Sequence, residues 1–195
     1  MADHPAMTHL FGDPDVMRFG DGPQSPEWVR DWIRRALASY EQRGYGPWAV
    51  IEKHSGELIG YCGLFFYPDI NGRPEIEIGY RLARARWGRG YATEAVIAVR
   101  DYAFDTLGLS RLIALIDPAN VASVRVAEKA GMRHEADVML VGYDHPDRVY
   151  VVHRPSSPLL HYATLGLRPE TPFQQRIAPQ ASPKATSVAH FTDRP

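Results

Sequence analysis

Apolar and polar residues alternate strictly over residues 75–82: Ile76, Ile78, Tyr80 and Leu82 take one parity, Glu75, Glu77, Gly79 and Arg81 the other. A period of two predicts a strand with one dry face. After Gly90 the spacing changes. Ala92, Ala95, Val96, Val99 and Ala103 recur at three and four, which predicts a helix with one apolar stripe. The period switches on Trp87-Gly88-Arg89-Gly90. Glycines just ahead of a helix bring bare backbone close to a ligand, and the first helical turn offers N–H groups and the positive end of the dipole. Strand, glycine turn and helix in this order form a seat for a phosphate.

The remaining elements follow from the same periodicities. Ser25-Pro26 supplies an N-cap and a first-turn proline, and Trp28, Trp32, Ile33, Leu37 and Tyr40 keep helical spacing until Gly44. Trp28 and Trp32 are expected in the core. Residues 48–52 and 58–66 predict two strands joined by a hairpin turn over 53–57, with a loop over 67–73. Residues 111–116 predict a short apolar strand ended by Asp117-Pro118, residues 120–130 a helix closing on Gly131, and residues 136–141 and 148–153 a last strand pair. A mixed α/β sheet with helices on its faces accommodates that order. Asp13-Pro14-Asp15-Val16-Met17 predicts a short turn or helical segment, and the residues ahead of it have no strand pattern.

Composition narrows the class. With 195 residues, 45% hydrophobic and 11% aromatic, the chain suits one well-buried core. Beyond Arg154 the texture changes, and residues 155–195 hold 7 of the 16 prolines. The expected division is a domain over 1–154 and a Pro-rich flexible tail over 155–195. Residues 159–167 could add a strand at an exposed edge. A net charge of −1 and a pI near 6.7 leave no overall footprint for nucleic acid. No apolar run reaches the roughly 18 residues of a membrane span, and no export signal is visible. The lone Cys62, in an apolar strand, fits a buried structural thiol in a reducing compartment, so a cytoplasmic location is expected. The eight histidines lack zinc-ligand spacing, and no metal is expected.

Two nucleotide seats fit poorly. A P-loop needs Lys and Ser or Thr directly after its last glycine, where Tyr91 and Ala92 stand. A dinucleotide fingerprint wants a third small residue at Thr93 and an apolar strand running into its first glycine, whereas residues 83–87 intervene; Asp117 is its one supporting feature.

Glu77-Ile78-Gly79-Tyr80 followed by Trp87-Gly88-Arg89-Gly90-Tyr91-Ala92-Thr93-Glu94-Ala95 resembles motif A of the GNAT acetyltransferases, in particular the branch of the ribosomal-protein N-terminal acetyltransferases RimJ and RimL. The run from Asn120 through Ser123, Ala127 and Gly131 to Met132 resembles motif B of that branch, and the similarity extends over residues 13–152. The resemblance implies a mostly antiparallel mixed sheet flanked by helices, acetyl-coenzyme A as co-substrate, and an amine-bearing acceptor, either a protein N-terminus or a small molecule. In the family a strand normally precedes the Asp-Pro-x-Val-Met element. Here it is missing or atypical, which leaves a sheet edge open or borrowed and would admit a homodimer. A non-catalytic acyl-coenzyme A-binding protein or assembly partner is the alternative.

By that resemblance the backbone of Trp87, Gly88, Arg89, Gly90, Tyr91, Ala92 and Thr93 holds the pyrophosphate, with Arg81, Arg84, Arg86 and Arg89 as a basic landing site. The backbone at Ile78, Tyr80 and Leu82 pairs with the pantetheine arm, and Asn120 and Ser123 contact the arm and its sulfur. Glu77 matches a strand glutamate that serves as base, with Glu75 in reserve on the same face. Many relatives have a tyrosine acid seven positions after the motif B asparagine; Ala127 stands there, which leaves Ser123 and Tyr143 as candidate acids. The residues alone equally allow Glu77 an arginine partner on an exposed strand, Asn120 a plain N-cap, and Ser123 a bond to backbone.

Overall fold

In a computed structural model, residues 3–155 and 188–191 are described. Three helices come first: α1 (His4–Gly12), α2 (Pro14–Met17) and α3 (Pro26–Arg43). Then follow β1 (Pro47–Glu52), β2 (Leu58–Ile70), β3 (Arg73–Leu82), a 3₁₀ turn (Arg84–Arg86) and α4 (Tyr91–Asp105). The chain continues through β4 (Arg111–Ile116), α5 (Val121–Lys129), β5 (Arg133–Val138), β6 (Asp147–His153) and β7 (Val188–Phe191). One sheet takes all seven strands in the order β5-β6-β4-β3-β2-β1-β7. Its pairs are antiparallel except β3 with β4 and β1 with β7. This is the expected mixed, mostly antiparallel α/β fold, and the antiparallel β2–β3 pair sets it apart from a doubly wound dinucleotide sheet. No helix among the described residues is long and apolar enough to cross a membrane.

Each face of the sheet has its own core. On one, Ile78 and Leu82 of β3 pack with Tyr91, Ala95, Val96 and Val99 of α4 and Ala127 of α5. On the other, Tyr61 of β2 meets Met7, Leu10 and Phe11 of α1 and Val29 of α3. Phe11 is fully buried, stacked 5.7 Å from the Tyr61 ring and edge-on to Trp28 and Trp32 at 5.2 and 5.0 Å. Both tryptophans serve the core, as expected. Phe11→Ala should therefore destabilise the fold by about 3–5 kcal/mol, read as a lower midpoint in urea unfolding.

Three sequence expectations are corrected here. Residues 67–73 are not a loop: β2 runs on to Ile70 and turns at Asn71-Gly72, whose φ angles of 53° and 84° suit a tight two-residue hairpin turn. The last strand pair begins earlier, with β5 at Arg133, because β5 is an edge strand exposed along most of its length and shows no apolar alternation. The N-terminal residues form α1 and no strand, as their pattern implies, but the edge beyond β1 is not left open or borrowed from another chain: the chain's own Val188–Phe191 occupies it, parallel to β1 from Ala49↔Val188 to Glu52↔Phe191. That strand lies within the segment expected to be a flexible tail; the 159–167 segment lies outside the described residues.

Candidate active site

The two parallel strands at the middle of the sheet are joined at one end only. At their N-terminal ends the buried Glu75 carboxylate accepts from Arg111 Nε at 3.0 Å and pairs with Arg73 at 2.7 Å, while Arg111 also reaches Glu135 at 2.7 Å. These arginines hold the Glu135 carboxyl down to about 2. β3 and β4 then share a single ladder pair, Glu77↔Ile113. Beyond it, residues 78–82 pair with β2 on one side and have no ladder partner in β4 on the other. A strand edge left this way inside a sheet offers main-chain N–H and C=O groups to an extended ligand. Glu75, the reserve base, is thus part of the clamp. Glu75→Gln should lower stability by about 1.5–3 kcal/mol, the usual worth of a charged hydrogen bond, in a thermal melt with cofactor affinity unchanged.

Glu77 stands where the ladder ends. Its Oε1 lies 3.4 Å from the Leu115 N–H of β4. Burial pushes its carboxyl up to about 7, against the opposing hydrogen bonds from Leu115 and Tyr67 and the charge of Arg81, with Asp147 adding to the rise. A carboxylate poised near neutrality is suited to accept a proton from an amine. Arg81, on the same strand parity, donates to the Tyr61 hydroxyl at 2.8 Å and turns away from any phosphate seat.

The glycine turn is shaped as the sequence predicts. Gly88 and Gly90 have φ of 76° and 89°, and a Cβ at either would meet nothing within 4 Å, so bare backbone faces open space. α4 starts at Tyr91 without a side-chain cap on Gly90. Its first turn is tied to β1 by the Tyr91 hydroxyl, which donates to Glu52 Oε1 at 2.7 Å. Bonds from Ser55 and Tyr91 hold the Glu52 carboxyl below its ordinary range. The exposed Trp87 donates from Nε1 to the Leu82 carbonyl at 2.8 Å, fixing the turn to the end of β3. The four arginines do not form one cluster: Arg81 bonds Tyr61, Arg84 pairs with Asp15, and Arg86 with Glu52 and Glu57. Arg89 stays exposed beside the turn.

Across from β3, Asn120 caps α5 by accepting from the Ser123 N–H at 3.2 Å, and the Ser123 hydroxyl accepts from Tyr80 at 3.0 Å. Tyr143 is elsewhere. Its hydroxyl lies 3.4 Å from Asp21, where residues 142–145 fold against 18–21. Between these segments lies a cavity of about 460 Å³, lined among others by Arg18, Asp21, Asp117, Tyr143, Asp144 and His145. His145 Nε2 is 3.5 Å from Asp117 and 3.9 Å from Asp144, while its Nδ1 is 3.9 Å from the buried Asp147. Burial, with the charge of Asp117, raises the Asp147 carboxyl. Among the described residues no group of His, Cys, Asp and Glu is placed to hold a metal ion. Cys62 is buried, and burial pushes its thiol up.

The structure thus brings Glu77 to the end of the ladder and Ser123, Asn120 and Tyr80 to one side of it, while Tyr143 goes to the acidic cavity. Sequence inspection missed Tyr67, whose signal was the Asn71-Gly72 dipeptide: a hairpin there sets Tyr67 opposite Glu75 and diagonal to Glu77. It also missed Asp21 and Asp147 and read Asp117 only toward a dinucleotide; the folding of distant loops brings the three together.

A family model described as an acetyltransferase (GNAT) domain matches residues 1–133. The chain belongs to the GNAT acetyltransferases. It is 40% identical over 129 residues to the uncharacterized protein YkkB of Bacillus subtilis (strain 168), covering 66% of this chain and 74% of that one. An acetyltransferase of Agrobacterium tumefaciens str. C58 has the same fold at 32% identity, with a TM-score of 0.66 over 79% of this chain and 86% of that one. The aminoglycoside acetyltransferase AAC(6')-Ib, solved with coenzyme A and kanamycin, shares the fold at 17% identity, with a TM-score of 0.63 over 78% of this chain and 90% of that one.

Proposed function

We propose that the chain moves an acetyl group from acetyl-coenzyme A to a primary amine of a small cationic acceptor, with Glu77 taking the proton. The observation that carries this is the position of the Glu77 carboxyl, raised to about 7, at the end of the β3–β4 ladder; the cavity lined by Asp21, Asp117 and Asp144 supports the cationic acceptor. The pantetheine arm lies along the unpaired edge of residues 78–82, in the manner of an added strand. Backbone from Gly88 to Thr93 holds the pyrophosphate, with Arg89 supplying charge. A β3 N–H polarises the thioester carbonyl.

An alkyl amine has a pKa of about 10.4, so it reaches the site as an ammonium ion and a base must take its proton. Glu77 does so directly or through one water. The amine nitrogen attacks the carbonyl carbon, the C–S bond breaks, the sulfur leaves with the bonding pair, and the nitrogen sheds its second proton to solvent water as the amide forms. The three aspartates attract a cation and hold its remaining charges, an interaction that weakens with salt. The RimJ- and RimL-like motif residues concern the acetyl donor; the acceptor is met by residues 18–21 and 142–145.

Calorimetric titration with acetyl-coenzyme A, followed by a thiol-release screen of acceptors, tests the proposal. Turnover of spermidine or kanamycin, inhibited by salt, is the expected result. Acetylation of uncharged peptide N-termini with no activity on such cations would overturn the acceptor class, and absence of acetyl-coenzyme A binding would overturn the whole.

A further inference from the structure

The Tyr80–Ser123 bond links β3 to α5 on the face of the sheet opposite Arg81 and Tyr61. Tyr80 shares its parity with Ile78 and Leu82, and its part-buried ring packs against the cluster that contains the buried Ala127, one turn beyond Ser123 on α5. With alanine at that turn, the hydroxyl that reaches this stretch of α5 comes from β3. A serine hydroxyl has one hydrogen to give and two lone pairs to receive with. A serine inside a helix commonly gives that hydrogen to a carbonyl one turn back. Among the described residues, however, the Ser123 hydroxyl bonds to Tyr80 alone, and it does so as acceptor. The N–H of Ser123 is engaged by Asn120. Its own hydrogen is therefore still to give.

We infer that Tyr80 is a positioning residue: by donating to Ser123 it turns the serine O–H toward the departing coenzyme A sulfur. This rests on the acetyl transfer proposed above, with the pantetheine arm along residues 78–82 and so beside Tyr80. The accounting is simple. Of the two protons the nitrogen gives up, the first goes to Glu77 and the second passes to solvent water as the tetrahedral adduct collapses; the C–S electron pair goes to sulfur, and Ser123 keeps its proton while hydrogen-bonding the thiolate. Tyr80 keeps its proton too, since burial pushes its phenol up to about 12. The direction of the Tyr80-to-Ser123 bond thus stays the same across the working pH range. Such a donor helps most when the negative charge is on sulfur, and so acts on bond breaking rather than on cofactor affinity.

The test uses bound coenzyme A, whose thiolate is followed by ultraviolet absorbance while pH is varied. A free thiol of this kind titrates at about 8.5. In the wild type the bound thiol is expected about one unit lower. Tyr80→Phe and Ser123→Ala should each return it toward the free value, and the double variant should go no further, because the two hydroxyls act in series. With acetyl-coenzyme A and hydroxylamine as a small acceptor, kcat should fall about tenfold in either single variant, with KM for acetyl-coenzyme A unchanged. A Tyr80→Phe thiol that titrates like wild type, or single losses that multiply in the double variant, would overturn the inference. Tyr80→Phe protein that melts early or no longer binds coenzyme A would make Tyr80 a packing residue and overturn it as well. Wild-type protein that binds no coenzyme A would remove the underlying acetyl-transfer proposal, a distinct failure.

Discussion

Replacing Glu77 by glutamine is expected to lower kcat/KM by about 10²- to 10⁴-fold, the usual worth of a positioned general base, with acetyl-coenzyme A affinity unchanged. The wild-type rate should climb with pH as the carboxyl ionises near 7, and the variant should lack that limb. Stability carries the opposite trend. The folded pKa is raised above the ordinary 4.5, so between the two values the native chain keeps a proton that the unfolded chain has released. Stability then falls as pH rises through that window and is untouched below it. Glu77→Gln should remove this decline and be more stable at pH 8, by on the order of 1–3 kcal/mol. Activity that survives Glu77→Gln with its pH profile intact would remove Glu77 as base while leaving the cofactor seat in place.

The second large effect concerns Gly90. With φ at 89°, a valine there is strained by about 1–2 kcal/mol, and its branched side chain would stand in the open space before α4. We expect at least a 100-fold loss of acetyl-coenzyme A affinity, about 2.7 kcal/mol, in a calorimetric titration. Gly108→Ala is the control. That glycine follows the far end of α4 with φ of 69° and equally open surroundings. It should lose stability on the same scale and keep wild-type affinity. Equal affinity in Gly90→Val would show that the phosphates bind elsewhere.

The strain at Gly90 and the burial of Glu77 differ in how far the sequence announces them. A positive φ at a glycine between a two-residue period and a helical one is a local matter, and the change of period marks it. The raised pKa of Glu77 is not local. It depends on the β3–β4 ladder ending at Ile113, on Tyr67 arriving from β2, and on Asp147 at the start of β6. Similarly, the residues at 81, 84, 86 and 89 look like one basic cluster in sequence, but their partners Tyr61, Asp15, Glu52 and Glu57 lie on other elements and disperse them.

Elements with a short-range cause are legible in the residues alone. The strand over 75–82 follows from alternation, α3 from its Ser25 cap and apolar spacing, α4 from the stripe after Gly90, and α5 from Asn120 and Gly131. The motif residues that announce an acetyltransferase belong to this local class, because backbone at a turn and a helix start needs only neighbours to take its shape. Pairings between residues far apart emerge only in the folded chain. The tail strand Val188–Phe191 lies on β1, where the pattern before Asp13 predicts an open or borrowed edge. Loops 18–21 and 142–145 meet around an acidic cavity, sending Tyr143 to Asp21 instead of Ser123. Tyr80 reaches Ser123 across 43 positions. Contacts of that kind leave no period in the chain: each is fixed by which strands share an edge and which helix covers them, and their energies are gained only once the whole sheet has formed.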